Sequence, residues 1–158
     1  MKRESIKTYL YRISQASKTQ LVVIMYDMAQ EYIQDALELL PSDKDGFCRN
    51  IRQVKRIIDE LSSTLDMQYD ISKELFVLYM QAGKVLIAFP ANKNDEGLDK
   101  VIYMLKSLRK SFYEISKQDD SGPVLKNTQQ VYAGLTYSSV GGSNEISTDP
   151  LSNRGYMV

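Results

Sequence analysis

Few residue types in this chain could carry catalytic or metal chemistry. The 158 residues include no histidine, and Cys48 is the one cysteine. Without histidine there is no Ser-His-Asp or Cys-His nucleophile system and no imidazole metal ligand. A single cysteine cannot build a zinc site, an iron–sulfur site or an internal disulfide, and Cys48 is expected to behave as a small hydrophobic residue. Acid–base chemistry by carboxylates stays open, so an enzyme is disfavoured and not excluded.

Charged side chains form short clusters near the ends of the predicted helices and on one face of the second helix. The acidic residues at 43–45 and 119–120 are interpreted as solvated loop and cap residues, with a weak cation site as the alternative. Four cations fall within residues 49–56, where a solvated helix face is favoured over a site for an acidic partner. The chain has neither a phosphate-binding loop nor a dinucleotide-binding glycine motif. We therefore expect no catalytic residues, no metal and no cofactor.

The charge balance limits the class of partner. Lys plus Arg number 20 and Asp plus Glu also number 20, which does not favour a nucleic acid or a membrane surface. No run approaches the roughly 20 apolar residues of a membrane span, and the first residues lack the apolar core of a secretory signal. The expectation is a soluble, cytoplasmic protein with no nucleic-acid partner and no membrane insertion.

The sequence predicts four long helices, and these must carry any surface that binds a partner. Between residues 17 and 116 apolar residues recur at spacings of three and four, and no segment alternates with a period of two. Connections of about five residues favour antiparallel neighbours. The predicted fold is all-α: an antiparallel four-helix bundle at residues 17–116, with a short amphipathic N-terminal segment at 1–16. Residues 117–158, rich in Gly, Pro, Ser and Asn, are predicted to form a largely irregular, flexible tail.

Capping and proline signals set the boundaries of these helices. Ser17 followed by Gln20 forms a capping-box pattern, so the first helix is expected to begin there and to stop before Pro41. Pro90 is expected to end the third helix, with Asp70 as its N-cap. The other helices are expected over about 43–65 and 95–116.

Each helix has a predicted core stripe at helical spacing. These stripes are Leu21, Met25, Met28, Tyr32, Ala36 and Leu39 in the first helix, Phe47, Ile51, Val54, Ile58, Leu61 and Leu65 in the second, Ile71, Leu75, Leu78, Ala82, Val85 and Phe89 in the third, and Val101, Leu105, Leu108, Phe112 and Ile115 in the fourth.

The first and third helices carry more apolar surface than a bundle needs. Their second stripes are Val22, Tyr26, Ala29, Ile33, Ala36 or Leu37, and Leu40 in the first helix, and Phe76, Met80, Gly83 and Ile87 in the third, with Tyr79 and Leu86 between the stripes. Excess apolar surface on a soluble monomer marks an interaction site, and Gly83 would let another backbone approach closely. Cover by the chain's own N-terminal segment or tail is the alternative. The two interpretations are compatible, because a competitor can open a covered groove.

The N-terminal segment has the pattern of such a cover. Its apolar residues at i, i+3, i+4 and i+7 are Ile6, Tyr9, Leu10 and Ile13. The segment is basic, and the polar side of the first long helix is acidic. We expect attraction between the two to help hold the segment in place.

Three strings resemble the flagellar secretion chaperones of the FliS type. The start of the first helix reads ASKTQLVVIMYDMAQEYI, and the second and third helices read IRQVKRIIDELSSTLDMQYDISKELFVLYMQAGKVLIAF. The last helix ends in LRKSFYEI, which is similar to the end of that family's pattern. The resemblance covers about residues 5–116.

The resemblance implies a cytoplasmic chaperone for flagellar type III secretion. It would bind the C-terminal region of flagellin, prevent premature polymerisation and hand flagellin to the flagellar export apparatus. It also implies that the flagellin segment wraps the bundle, while the N-terminal segment caps part of the groove. We therefore predict Ile6, Tyr9, Leu10 and Ile13 as a displaceable cap. The predicted partner-binding groove consists of Tyr26, Ile33, Phe76, Tyr79, Met80, Gly83 and Ile87.

Other readings stay open at this point. A helical adaptor could bind another export or regulatory protein, such as an anti-sigma factor, through the same groove. A carboxylate or metal-carboxylate enzyme is disfavoured, because the stripes contain no Asp or Glu. A homodimer is possible. The tail string VYAGLTY at residues 131–137 is hypothesised to guard the groove.

Overall fold

The structure is a computed structural model, and it describes residues 3–125, with side chains from Glu4 onward. This part of the chain is all-helical, with five helices and no strand. The all-α prediction is thereby confirmed for residues 3–125. The helices are α1 (Arg3–Gln15), α2 (Lys18–Leu39), α3 (Lys44–Ser63), α4 (Asp70–Asn92) and α5 (Asp95–Ser116).

Side-chain caps begin three of the long helices. The Ser17 side chain accepts from the Gln20 backbone N–H, and the Ser17 N–H donates to Gln20 Oε1 at 2.9 Å, so the predicted capping box at α2 is confirmed. Asp43 accepts from the Gly46 N–H at 2.8 Å and caps α3. Asn94 does the same for α5. Each cap satisfies a backbone donor that the helix itself leaves unpaired.

Helix α4 does not follow its predicted boundaries. Its N-cap is Tyr69, not Asp70, and no side chain caps this end. The helix also continues through Pro90 to Asn92, so the prediction that Pro90 ends it is wrong. Proline removes one backbone donor, but the last turn is closed by Lys93, whose N–H donates to the Phe89 carbonyl at 2.8 Å. Lys93 adopts a left-handed conformation with φ of 48°.

The four long helices share one hydrophobic core. Helix α2 packs against α3 and α5, α3 packs against α4, and α4 and α5 share a smaller interface. The fully buried members are Tyr26, Ala29, Ile33, Ala36, Phe47, Ile51, Val54, Ile58, Leu61, Leu75, Tyr79, Ala82, Leu86, Phe89, Leu98, Val101 and Leu105. The predicted stripe of α3 is confirmed almost in full.

The structure shifts the core face of α2 and keeps part of the predicted core stripe, because Ala36 lies in the core and Met25 and Tyr32 pack against it. The stripe predicted to face a partner, with Tyr26, Ala29 and Ile33, lies in the core. Several residues predicted for the core, including Met28, are only half-buried. Small side chains at Ala29 and Ala36 allow α3 and α5 to pack closely against α2, and the hydroxyl of Tyr26 finds a hydrogen-bond partner in the hydroxyl of Tyr79.

Parts of the predicted stripes of α4 and α5 are also wrong. Ile71, Leu78 and Ile115 are exposed and not in the core. Tyr79 and Leu86 take the core positions in α4. Both apolar stripes of α4 contribute to its composition, so it is the one helix within residues 3–125 that is long and apolar enough, by length and composition alone, to cross a membrane. The core helix of a soluble protein passes the same test.

Candidate partner-binding surfaces

One apolar surface lies on the outside of α4. Phe76, Met80 and Ile87 are 38, 46 and 68% exposed. They are four and seven residues apart, so they share one side of the helix. We call these three residues the α4 face. This is the part of the predicted groove that the structure leaves accessible.

Gly83 belongs to the same stripe but is buried by its own chain. A Cβ atom at this position would meet Cε of Lys55 at 3.3 Å and Cδ at 3.5 Å. The aliphatic stem of Lys55 therefore crosses Gly83, while its ammonium group pairs with Asp59 at 2.6 Å. The close approach that Gly83 permits is made by α3. The expectation that it admits a partner backbone is corrected, and the contact places the α4 face beside α3.

Three further predicted groove residues lie inside the core. Tyr26, Ile33 and Tyr79 are fully buried, so a partner cannot touch them while the core is closed. The hydroxyls of Tyr26 and Tyr79 hydrogen-bond to each other. Burial raises the pKa of both hydroxyls above that of an exposed tyrosine. The pair is a neutral link across the core, and its placement in an open groove is corrected.

A second apolar site lies beneath α1. Val23 and Ile24 are each 4% exposed, yet neither belongs to the core shared by α2–α5. An open groove of about 380 Å³ touches them. Its other walls come from α1, the start of α2 and the end of α5: Tyr11, Arg12, Gln15, Ala16, Gln20, Tyr113 and Ser116. Helix α1 therefore covers apolar surface that the long helices do not bury.

One carboxylate ties α1 to the long helices. Asp27 Oδ2 accepts from Nη2 of Arg12 in α1 at 2.6 Å, and Oδ1 accepts from Nε of Arg109 in α5 at 2.9 Å. The expected attraction between the basic N-terminal segment and the acidic side of α2 is confirmed for this pair. We call Val23, Ile24 and Asp27, with Arg109 and Tyr113 from α5, the cap site.

The predicted cap residues divide into two pairs. Tyr9 and Ile13 are half-buried, whereas Ile6 and Leu10 are exposed. Burial raises the pKa of the Tyr9 hydroxyl, and its hydrogen bond to Glu31 raises that pKa further. The hydroxyl therefore stays protonated and donates to Glu31 on α2. Helix α1 thus has one face against α2 and one apolar face left open.

The segment after α5 returns to the start of α2. The backbone N–H of Thr19 donates to Asp119 Oδ2 at 3.2 Å, and the Thr19 hydroxyl donates to the same oxygen. The N–H of Val124 donates to the carbonyl of Ala16 at 3.0 Å. The beginning of the predicted tail is therefore bound at the junction of α1 and α2. The string at residues 131–137 that was hypothesised to guard the groove lies outside the described residues.

Metal chemistry finds no support in the described part of the chain. Within residues 3–125 there is no group of three or more His, Cys, Asp or Glu side chains that could hold a metal ion. The α4 face and the cap site are therefore the surfaces on which a function can be argued.

The family model for the flagellar protein FliS matches residues 4–119. The match includes all of α2 to α5, most of α1 and the Asp119 side chain that binds the start of α2. A search of curated proteins found no match to the chain. Since the family model covers well over half of the sequence, the chain belongs to the flagellar protein FliS family.

Proposed function

We propose that this protein is a cytoplasmic export chaperone that binds the C-terminal region of flagellin. It would prevent premature polymerisation and deliver flagellin to the flagellar type III export apparatus. Membership of the FliS family implies a flagellar export chaperone. The observation that carries the proposal is that the chain has apolar surface beyond its core, exposed on the α4 face and covered by a separate helix at the cap site.

Two separate surfaces suit an extended client. A disordered segment loses conformational entropy when it binds, so it must bury a large area to bind usefully. An amphipathic client helix on the α4 face would bury Phe76, Met80 and Ile87 in the helix-in-groove mode. Tyr79 and Ile33 would support that face from the core without touching the client. Displacement of α1 would add the cap site to the bound surface.

The proposal includes an antiparallel, up-down-up-down order of the four long helices. Short connections and the packing of α2 on α3 and of α3 on α4 support it. In this arrangement residues 1–16 act as the cap, 17–116 as the bundle and 117–158 as an appended tail. The chaperone would use no bond chemistry and no cofactor.

The test is binding of the C-terminal segment of the organism's own flagellin to the variant Met80→Asp. Removing apolar contact and burying a carboxylate should weaken binding at least tenfold. Gln81→Asp is the matched control, because it adds the same charge at the next, exposed position of α4. Circular dichroism checks that both variants keep their helices. Unchanged binding by a folded Met80→Asp protein removes the α4 face from the binding surface.

Two other results would redirect the proposal. If flagellin does not bind but another flagellar or regulatory protein does, and the same substitution weakens that complex, the protein is a helical adaptor. If light scattering gives the mass of a dimer that Met80→Asp dissociates, the α4 face is covered by a second copy of the chain.

A further inference from the structure

Asp27 divides its two oxygens between arginines from different parts of the fold. Arg12 belongs to α1, the cover, whereas Arg109 belongs to α5, which packs on the core. If α1 leaves, Oδ1 keeps Arg109 as its partner while Oδ2 loses its donor. When α1 leaves, the Asp27 carboxylate therefore keeps a charged partner. This removes the main free-energy penalty for breaking a part-buried ion pair, which is an uncompensated charge. The departure of α1 does leave a vacant acceptor at a defined place.

The vacant oxygen lies beside the apolar part of the cap site. Val23 and Ile24 precede Asp27 by one helical turn, and Tyr113 lies against Arg109 with its ring centroid 5.0 Å from the guanidinium carbon. Arg109 is thereby held in place when α1 is absent. An incoming helix would meet an apolar floor and one carboxylate oxygen at its edge.

Helix α1 shows what kind of ligand this site accepts. Its guanidinium sits on Asp27, and the half-buried residues nearest to it are Tyr9, three positions before Arg12, and Ile13, one position after it. A helix that replaces α1 needs a basic side chain to pair with Asp27 Oδ2. It also needs two apolar side chains at the positions of Tyr9 and Ile13 to cover Val23 and Ile24. A carboxylate or an apolar side chain at the position of Arg12 would leave Oδ2 unpaired in a part-buried site.

We propose that the cap site selects an amphipathic helix by one Lys or Arg side chain that replaces Arg12 on Asp27, with apolar residues three before and one after it. This rests on the proposed function, since it describes the client segment that displaces α1. Asp27 is then a specificity-determining residue, and Arg109 is its permanent partner.

The first test uses a probe taken from the chain itself. A fluorescent peptide of residues 3–15 is titrated into the full-length protein carrying Arg12→Ala, which weakens its own cap. Replacing the arginine of the peptide by alanine should weaken binding about tenfold, the size of a charge-assisted hydrogen bond. Lysine at that position should bind within about threefold of arginine. Alanine in place of Lys7, which is exposed on α1, is the matched control and should have no effect.

The peptide substitutions do not touch the fold of the protein, so their results stand even if a protein variant misfolds. Adding Asp27→Asn to the protein should abolish the difference between the arginine and alanine peptides. No binding of the unchanged peptide, or equal binding of the arginine and alanine peptides, overturns the proposal.

The second test uses the C-terminal segment of flagellin with the full-length protein. Each Lys or Arg of the segment is changed to Ala and measured against wild type and Asp27→Asn in a double-mutant cycle. We expect one basic residue to couple to Asp27 about tenfold. If the segment binds and no basic residue couples, the proposed function stands and this inference fails for the client. If the segment does not bind, the proposed function fails, while the peptide of residues 3–15 still decides the chemistry of the cap site.

Discussion

Helix α2 buries apolar side chains on two opposite sides. One side packs in the core, and the other side is covered by a separate helix. Ile24 and Ile33 are nine residues apart, about two and a half helical turns, so their side chains leave the helix in opposite directions. Ile33 lies in the core shared by α2–α5. Ile24 lies in the cap site beneath α1. One helix therefore supports both the stable centre of the protein and a site with a separate cover.

The helices that enclose the core and the helix that covers the cap site differ in how firmly they are held. Core residues are enclosed by four helices of 20 to 23 residues, whereas α1 has 13 residues and packs mainly on α2. A helix as short as α1 is marginal in water by itself. It is held by the ion pair of Arg12 with Asp27 and by the partial burial of Tyr9 and Ile13. We therefore expect α1 to open at a small fraction of the global unfolding free energy.

The largest effect is expected from a cavity in the core. Leu105→Ala should lower the free energy of unfolding by about 2–5 kcal/mol, because Leu105 is fully buried and its neighbours cannot fully close the space. Urea unfolding followed by circular dichroism measures it. Ile115→Ala is the control on the same helix, and since Ile115 is exposed its effect should stay within about 0.5 kcal/mol. Similar losses in the two variants would contradict the assignment of the core.

The next effect concerns the polar link inside the core. Tyr79→Phe should cost about 1–3 kcal/mol, because it leaves the Tyr26 hydroxyl buried without its partner. The double variant Tyr26→Phe with Tyr79→Phe removes both polar groups and should recover most of that loss. Additive losses, measured by urea unfolding of the four proteins, would show that the hydroxyls do not act as a pair.

Sequence alone could predict the one-sided elements of this fold. In α3 the apolar residues form one stripe at alternating spacings of four and three, so Phe47 to Leu61 have only one face to bury. Sequence also indicates the N-caps at Ser17 and Asp43, because capping depends on residues close in sequence. The family resemblance also follows from local strings.

For helices with two apolar faces, sequence alone could not predict which face meets the core. The run at residues 21–25 is apolar around the whole circumference of α2, so periodicity cannot say which side meets the core. That choice is made by contacts between residues distant in sequence, such as Tyr26 and Tyr79, which are 53 residues apart. The same run did hold a signal for the cap site, because a helix that is apolar all round is buried on all sides. Val23 and Ile24 belonged to neither predicted stripe.

A smaller effect, confined to the cover, is expected from Arg12→Ala. Loss of the ion pair with Asp27 should weaken the hold on α1 by about 1.4 kcal/mol while Arg109 keeps the carboxylate paired. Amide hydrogen exchange within α1 should then rise about tenfold, with little change in α3 and α4. Lys7→Ala, on the exposed side of α1, is the matched control.

The result for Arg12→Ala also tests whether α1 and the core helices unfold separately. If exchange rises equally in α1 and in the core helices, the two regions unfold as one cooperative unit. The cap would then not open independently, and displacement by a client would require partial unfolding of the core.

The smallest effect is expected where the two regions meet, at the start of α2. Hydrogen bonds from Ser121, Thr19 and Ser17 hold the pKa of Asp119 below the ordinary value of 3.8. A carboxyl group whose folded-state pKa is lowered stabilises the fold above its unfolded pKa. That contribution should be present above about pH 4 and lost as the pH falls toward the folded-state pKa. Its hydrogen-bond partners do not titrate in this range, so the change belongs to Asp119.

Thermal unfolding of Asp119→Asn and wild type between pH 6 and pH 2.5 measures this contribution. Wild type should unfold at the higher temperature near neutral pH, because an anionic side chain at the N-terminus of α2 also interacts favourably with the helix dipole. The gap should narrow below about pH 4. Asp120→Asn is the control, since it removes the neighbouring carboxylate, which is exposed. A gap that is constant across this range would show that Asp119 does not act through its charge at the junction of α1 and α2.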